Sequence, residues 1–222
     1  MKKILVLIAI ALSGTSFAQV GISAGGNMLA GFGAQRTWGG LHFGLEIPRD
    51  DAISIYGRLS HYFAQSSRDS IYASAIARDV TTNPYVITVG GVARMNYTTI
   101  EGGTRYYLGD GYDFGWAAYG GSNLMIIFNG ARNRFQGYDE LLYELDGGNT
   151  QRGTIFSLGF GLGGGLKYSV EDLGTFYFDL SLAYILLGQP SNDVALQVAQ
   201  SGLYRPLLFT FNLGYRRDIS WQ

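Results

Sequence analysis

Apolar residues occupy every second position along much of the chain. In residues 154–168 the even positions are mostly apolar, whereas four of the odd positions are glycine. The same alternation recurs in residues 175–187 and 207–216. A period of two is typical of β-strands whose two faces meet different surroundings. The pattern therefore predicts an all-β fold.

Five weaker alternating segments bring the predicted number of strands to eight. They are residues 20–32, 39–47, 53–63, 97–108 and 114–128. Short turns are predicted at 48–51, 109–113 and 169–174, and longer polar loops at 64–84, 129–153 and 188–206. Residues 86–95 together with part of 69–80 are apolar enough to form a further hairpin. We therefore expect a closed antiparallel barrel of eight strands, with ten strands as the alternative.

The composition of the polar face decides between a soluble and a membrane barrel. A soluble barrel with an apolar interior must solvate its outer face, which then carries many Lys and Glu residues. Here the non-apolar positions are mostly Gly, Ser, Thr, Asn and Tyr, which suits a narrow interior. We therefore expect the apolar face to point outward into lipid and the barrel to be transmembrane.

Aromatic residues near both ends of the predicted strands favour the same interpretation. Barrels of the bacterial outer membrane carry an aromatic girdle at each interface. Near the short turns the candidate girdle residues are Tyr106, Phe114, Trp116, Tyr168, Phe176 and Tyr215. Near the long loops the candidates are Phe128, Phe156, Tyr184 and Phe209. Their distribution predicts two girdles, one at each membrane surface.

The N-terminal residues have the features of a secretory signal peptide. Lys2 and Lys3 precede an apolar run over residues 4–12, and Ser16 and Ala18 provide a small-x-small cleavage site. We expect residues 1–18 to be removed after Ala18, which leaves residues 19–222 as one barrel domain. Export of a transmembrane barrel predicts that the protein resides in the bacterial outer membrane.

Composition excludes several classes of function. The chain has no cysteine and two histidines, so we expect no disulfide, no lipid-modified cysteine and no metal site. Removal of Lys2 and Lys3 takes the formal charge from −1 to −3, and no basic stripe predicts binding of nucleic acid. Residues 159–164 match G-x-G-x-x-G, but the alternation continues through them, so we expect no phosphate loop and no cofactor.

The whole mature segment resembles the small outer-membrane β-barrel family of the OmpA/OmpX-like type, and most closely its Bacteroidetes variants. The resemblance rests on the start at Gln19 and Val20, on YTTIEGGTRYYLGDG at 97–111 and on LLFTFNLGYRR at 207–217. It implies both termini in the periplasm and contacts with outer-membrane lipid and lipopolysaccharide. Such barrels usually end on an aromatic residue, whereas this chain ends in DISWQ, with Trp221 one position before the end.

Several charged residues fall on the face that we expect to point inward. They are Glu46, Arg58, Glu101, Arg105, Lys167, Asp179 and Arg216. A charge in a narrow interior is costly unless it is paired and hydrogen-bonded. We therefore expect a structural network that plugs the barrel, and a narrow pore for ions or small solutes is the alternative.

A third hypothesis is a lipid-modifying enzyme. It requires a histidine beside a serine and a carboxylate at the outer rim. The segment LSHYFAQSS at 59–67 offers Ser60, His61, Ser66 and Ser67, but its alternation puts Ser60 and His61 on opposite faces. We therefore expect no catalytic residues.

The long loops are the remaining candidates for function. Residues 137–148 and 191–202 have short helical spacing, with Ser191 or Asn192 as a predicted cap. The loops at 64–84, 129–153 and 188–206 would lie outside the cell. They predict a structural role or a contact surface for an outer-membrane or extracellular protein.

Overall fold

The structure is a computed structural model, and it describes residues 19–220, apart from the side chains of Asp69 and Ser220. The predicted signal peptide and Trp221 lie outside these residues. Within residues 19–220 the prediction of an all-β, antiparallel fold is confirmed.

The described residues form nine strands and one short helix. The strands are β1 (Gln19–Gly31), β2 (Thr37–Pro48), β3 (Ile53–Ala77), β4 (Val86–Gly109), β5 (Gly115–Phe135), β6 (Tyr143–Leu145), β7 (Thr150–Val170), β8 (Gly174–Pro190) and β9 (Leu207–Ser220). Between β8 and β9 lie α1 (Asp193–Val198) and a π-helical turn, Ala199–Leu203. No helix within residues 19–220 is long and apolar enough to cross a membrane.

The eight long strands pair in a continuous antiparallel order. The order is β2-β1-β9-β8-β7-β5-β4-β3, and β3 also pairs with β2, for example Arg58 with Gly44. Each long strand therefore has a hydrogen-bonded neighbour on both sides, because the last strand of the order, β3, pairs with the first, β2. The three-residue strand β6 is added to β3 at residues 75–77, beyond the part of β3 that pairs with β2.

Two of the predicted loops contain more strand than the sequence indicated. β3 continues to Ala77 and β4 begins at Val86, so residues 64–77 are strand and the connection is short. Residues 70–76 pair with residues 86–92, so the two segments form the predicted hairpin, but as continuations of β3 and β4 rather than as two additional strands. The expectation of helical spacing at 137–148 is wrong, because Tyr143–Leu145 pairs with the edge of β3.

The glycines of β7 leave space for side chains from other strands. A Cβ atom at Gly165 would lie 2.2 Å from the Phe178 carbonyl oxygen and 2.7 Å from the Tyr119 ring. A Cβ atom at Gly161 would lie 2.3 Å from the side-chain oxygen of Asn123. A larger residue at either position would displace a buried neighbour, which explains why the inward face of β7 is nearly bare.

Two kinds of packing fill the interior. We call the end with the short turns 49–52, 110–114 and 171–173 the turn end, and the opposite end the loop end. Charged and tyrosine side chains fill the half nearer the turn end. Apolar side chains fill the other half, and we call them the apolar core: Leu29, Trp38, Tyr62, Met95, Tyr97, Met125, Ile127, Ile155, Ile185 and Leu208.

Candidate functional site

The charged cluster in the interior is the candidate functional site. Glu46 lies on β2, Arg58 on β3, Glu101 and Arg105 on β4, Asp179 on β8 and Arg216 on β9. All six side chains are at most 9% exposed, because each falls on the inward parity of its strand. We call these six residues the ion-pair network.

Arg58 joins two carboxylates. Its Nε lies 3.1 Å from Oε1 of Glu101. Its two terminal nitrogens donate to the two oxygens of Asp179, at 3.2 and 2.7 Å. A two-pronged guanidinium–carboxylate contact is stronger and more directional than a single hydrogen bond. Arg58 therefore links β3 to β8 across the interior as well as to its neighbour β4.

Arg105 makes the second link across the interior. Its Nη1 donates to Oε2 of Glu46 at 2.6 Å, and its Nη2 donates to Oδ2 of Asp179 at 3.0 Å. The guanidinium also lies over the rings of Tyr56 and Tyr119, with centroid distances of 4.3 and 4.9 Å. Ring faces attract cations, so the tyrosines replace part of the lost hydration.

The Glu46 carboxylate accepts several hydrogen bonds as well as its ion pairs. Ser54 Oγ donates to it at 2.5 Å, and the Tyr107 hydroxyl donates to the same oxygen. Arg216 Nη1 approaches its other oxygen at 3.4 Å. A buried carboxylate needs such donors, because removing its charge from water costs on the order of several kcal/mol when nothing replaces the hydration.

Lys167 is the one predicted interior charge that makes no ion pair with the network. Its Nζ donates to the carbonyl oxygens of Tyr112 and Phe114, at 2.9 and 3.3 Å, and to Ser169 Oγ at 2.9 Å. Arg216 donates to the same Tyr112 carbonyl at 3.1 Å and pairs with Asp218 at 3.2 Å. These contacts hold the β4–β5 turn over the interior at the turn end.

The network leaves little free volume. The cavity between Tyr56, Arg58, Glu101, Arg105 and Asp179 has a volume of about 20 Å³. That volume holds about one water molecule. The interior charges at this end also balance. Four acidic groups, Glu46, Glu101, Asp179 and Asp218, face four basic groups, Arg58, Arg105, Lys167 and Arg216, so the net charge is zero when all eight are ionised.

The segment between β8 and β9 closes the loop end over the apolar core. Ala195, Val198 and Leu203 are fully buried there. Asn192 caps α1 by accepting a hydrogen bond from the Ala195 N–H at 3.0 Å. The Tyr97 hydroxyl donates to the Leu203 carbonyl at 3.2 Å, and Asn133 donates to Gln197 at 2.9 Å. We call residues 191–206 the cap.

The predicted helical spacing at 191–202 with Asn192 as its cap is confirmed by α1. The sequence did not predict the apolar core or the closure of the loop end by this segment. The available signal was residues 124–128, LMIIF, where both parities are apolar, as in a strand buried on both faces. The inward members of that run, Met125 and Ile127, are buried, and the outward members Leu124 and Phe128 are exposed.

The predicted girdle residues lie on the outward surface. All are at least 41% exposed except Tyr215, which is partly buried. Three pairs sit opposite each other on neighbouring strands, with ring centroids 4.8 to 5.5 Å apart: Trp116–Tyr168, Phe176–Tyr215 and Phe128–Phe156. The first two pairs lie towards the turn end and the third towards the loop end.

Ser60 and His61 of the enzyme hypothesis lie on opposite faces of β3. Ser60 is buried and His61 is exposed on the opposite face, where its Nδ1 lies 2.9 Å from Thr98 Oγ1. His42 is buried, with its Nε2 2.6 Å from the Tyr177 hydroxyl. In the part of the chain that the structure describes, no three His, Asp or Glu side chains are grouped to hold a metal ion. Gly159, Gly161 and Gly164 lie within β7, so no helix follows them.

Comparisons with known proteins give distant likenesses. No protein-family model and no curated protein matches the chain. Among solved structures, Neisserial surface protein A is 11% identical, over 91% of this chain and 96% of that one, with a TM-score of 0.49. Ail, the attachment invasion locus protein of Yersinia pestis, is 14% identical, over 90% and 99%, with a TM-score of 0.48. A major outer membrane protein from Thermus thermophilus is 11% identical, over 90% and 99%, with a TM-score of 0.49. The function of this chain therefore has to be argued from its own geometry.

Proposed function

We propose that this chain is an integral protein of the bacterial outer membrane, a closed eight-stranded barrel whose filled interior does not conduct ions. The observation that carries the proposal is the ion-pair network, whose charges pair with one another across the interior. The strand order supports closure, because β2–β3 pairing leaves no free edge among the eight long strands. The short strand β6 is then an extension outside the barrel.

The outward apolar surface supports placement in a membrane. Every long strand exposes large apolar side chains on its outward face, including Met28, Leu41, Leu59, Ile100, Leu124, Leu162, Leu182 and Leu213. Soluble monomers rarely expose a contiguous apolar patch larger than about a few hundred Å². A continuous belt of this kind, bordered by aromatic pairs, matches the lipid-facing surface of an outer-membrane barrel.

The lengths of the connections support one orientation. The turn end has short connections, and Gln19 and the last described residue of β9 also lie there. The loop end carries the cap and the extension formed by β3, β4 and β6. Outer-membrane barrels have short periplasmic turns and longer outer loops. The loop end therefore faces the outside of the cell.

The interior opposes ion flow at two levels. An ion crossing the turn-end half would have to displace charges that already satisfy one another, and an unpaired buried charge costs about 3–5 kcal/mol. An ion crossing the loop-end half would meet the apolar core and the cap. The barrel therefore serves as a structural element of the membrane that displays its loop end. Binding of a protein partner by that end stays a prediction.

Single-channel recording tests the proposal. Residues 19–222 are refolded, shown to migrate differently on a gel with and without heating, and inserted into a planar bilayer. We expect no steady openings above the bare bilayer. Reproducible openings would contradict the filled interior and favour the narrow pore. A chain that neither shifts on the gel nor enters bilayers would contradict the barrel itself.

A further inference from the structure

Three arginines form a row on the outward face of three neighbouring strands. Arg94 of β4 lies directly opposite Arg132 of β5, and Arg132 lies directly opposite Arg152 of β7. All three are exposed. A fourth exposed arginine, Arg134, lies two residues beyond Arg132 on the same face. We call Arg94, Arg132 and Arg152 the arginine row.

The row is electrostatically unfavourable without an anion. Directly opposite residues have Cβ atoms about 5 Å apart, and like charges in that arrangement destabilise a sheet. None of the acidic side chains that the structure describes forms an ion pair with any of the four arginines, whereas the exposed Arg78 is paired with Glu144 at 3.4 Å. Among the described side chains none supplies this charge, so the arrangement favours binding of an anion.

The position of the row fits the headgroup layer of the proposed outer leaflet. Arg132 lies four residues beyond Phe128 on β5, and Arg152 lies four residues before Phe156 on β7, while the two rings pack 5.5 Å apart. Four residues span about 13 Å along a strand, which is roughly 10 Å along the membrane normal at the usual tilt. The aromatic pair marks the interface, so the arginines lie where lipid phosphates begin.

The chemistry of the row selects phosphate. The guanidinium group presents a planar fork of donors that matches phosphate oxygens, and neighbouring forks can hold one phosphate together. Gly130 and Thr154 lie opposite each other between the aromatic pair and the arginines. Asn96 covers Gly130, whose N–H donates to Asn96 Oδ1 at 2.8 Å, so the surface between the rings and the row carries small polar groups that a lipid headgroup can contact.

We propose that the arginine row binds the phosphate monoester of an outer-leaflet glycolipid, the class to which the lipid A of lipopolysaccharide belongs. This inference rests on the proposed outer-membrane function, because only that function puts the row beside a lipid headgroup. It adds a specific site and a specific ligand chemistry to that function. The arginines act together, and Arg134 extends the positive surface away from the membrane.

Lipid retention by the refolded mature chain tests this site. The chain in zwitterionic detergent is titrated with phosphorylated lipid A and with enzymatically dephosphorylated lipid A, and bound lipid is counted by native mass spectrometry. We expect the phosphorylated lipid to bind about tenfold more tightly, the size of one charge-assisted hydrogen bond. The double substitution R132Q/R152Q should abolish this preference. Arg49→Gln removes an exposed arginine from the turn end and should leave the preference intact.

Several outcomes would overturn the site. They are equal binding of the two lipids by the unsubstituted chain, a preference that survives R132Q/R152Q, and an equal loss in Arg49→Gln. Competition by phosphatidylglycerol or by inorganic phosphate, at the same phosphate concentration, would contradict the glycolipid as the source of phosphate. The heat-dependent gel shift shows whether the barrel has folded, so it distinguishes a missing lipid site from a missing barrel. A shifted, inserted chain without lipid preference contradicts only the arginine row.

Discussion

At the scale of single residues, each buried guanidinium contacts more than one carboxylate, and all of these contacts except Arg216–Asp218 join different strands. Arg58 contacts Glu101 and Asp179, and Arg105 contacts Glu46 and Asp179. Asp179 is thus shared by both arginines, and Asn212 also donates to it at 2.6 Å. Loss of one arginine therefore removes an ion pair from two buried carboxylates at once, and its cost exceeds that of a surface pair.

Arg58→Met is predicted to lower the free energy of unfolding by about 3–5 kcal/mol, because Glu101 loses its cation and Asp179 loses its two-pronged contact, keeping only Arg105. Urea unfolding of the refolded chain in detergent, followed by tryptophan fluorescence, measures the change. The matched control is Arg78→Met, which breaks an exposed pair and should cost less than about 1 kcal/mol. Equal effects of the two substitutions would show that the interior pair contributes no more than a surface pair.

A glycine of β7 gives a second test at the scale of residues. Gly165→Ala places a Cβ atom against the Phe178 carbonyl and the Tyr119 ring, so the strand or the ring must move. We expect a loss of about 1–3 kcal/mol in the free energy of unfolding. Gly39→Ala is the control, because a Cβ atom there meets no atom within 4 Å. A Gly165→Ala chain as stable as Gly39→Ala would contradict the close packing of the interior.

At the scale of elements, the cap is held to the long strands by buried apolar residues rather than by its own helix. The helix α1 has six residues, too few to be stable alone. Val198 and Leu203 are fully buried against the apolar core, whereas Leu196 of the same helix is 44% exposed. The position of the cap thus depends on a few side chains. A substitution among them can detach the cap from the apolar core while the strands stay folded.

Val198→Asn should release the cap, because a buried amide without a partner costs about 1–3 kcal/mol. We expect faster amide hydrogen exchange over residues 193–203, with exchange in β4 and β5 unchanged. Leu196→Asn makes the same chemical change on the exposed side of the helix and should leave exchange as it was. Bilayer recordings of Val198→Asn should still show no openings, since the ion-pair network remains. Steady openings in this variant alone would place the barrier to ions in the cap.

The elements also show what sequence can and cannot predict. Strict alternation in β7, β8 and β9 predicted which side chains point inward, and residues such as Asp179 and Lys167 are indeed buried. The alternation did not predict the loop-end part of β3, because the pairing of β3 with β4 shifts register between Tyr62 and Gln65 and again between Ser66 and Ser70. Such irregularities insert extra residues and break the period of two.

The arginine row could not be found from any single strand. Arg94, Arg132 and Arg152 are far apart in the sequence and become neighbours only through the register of β4, β5 and β7. The partners within the ion-pair network were hidden for the same reason. Alternation gives the face on which a residue lies, whereas register gives the residue that it meets.

At the scale of the whole molecule, the two faces of the strands have reversed roles compared with a soluble barrel. The turn-end half of the interior holds paired charges, and the outward face exposes a belt of leucine, isoleucine and phenylalanine. A soluble barrel with this surface would aggregate, since the apolar patch would be in water. In a bilayer the same belt is stabilised by lipid, and the continuous pairing satisfies the backbone groups of the eight long strands. A charge on the belt therefore distinguishes the two environments.

Leu162→Arg places a charge in the middle of the outward face of β7, at a position that is 61% exposed. In a membrane barrel we expect this change to lower the free energy of unfolding from lipid vesicles by about 2–4 kcal/mol, the cost of an arginine facing the midplane. Leu141→Arg makes the same substitution at an 86% exposed position in the connection before β6, outside the belt, and should be neutral. Denaturant titration of both variants in phosphatidylcholine vesicles measures the difference. If Leu162→Arg were as stable as Leu141→Arg, the belt would not face lipid, because water solvates an arginine at either position equally well.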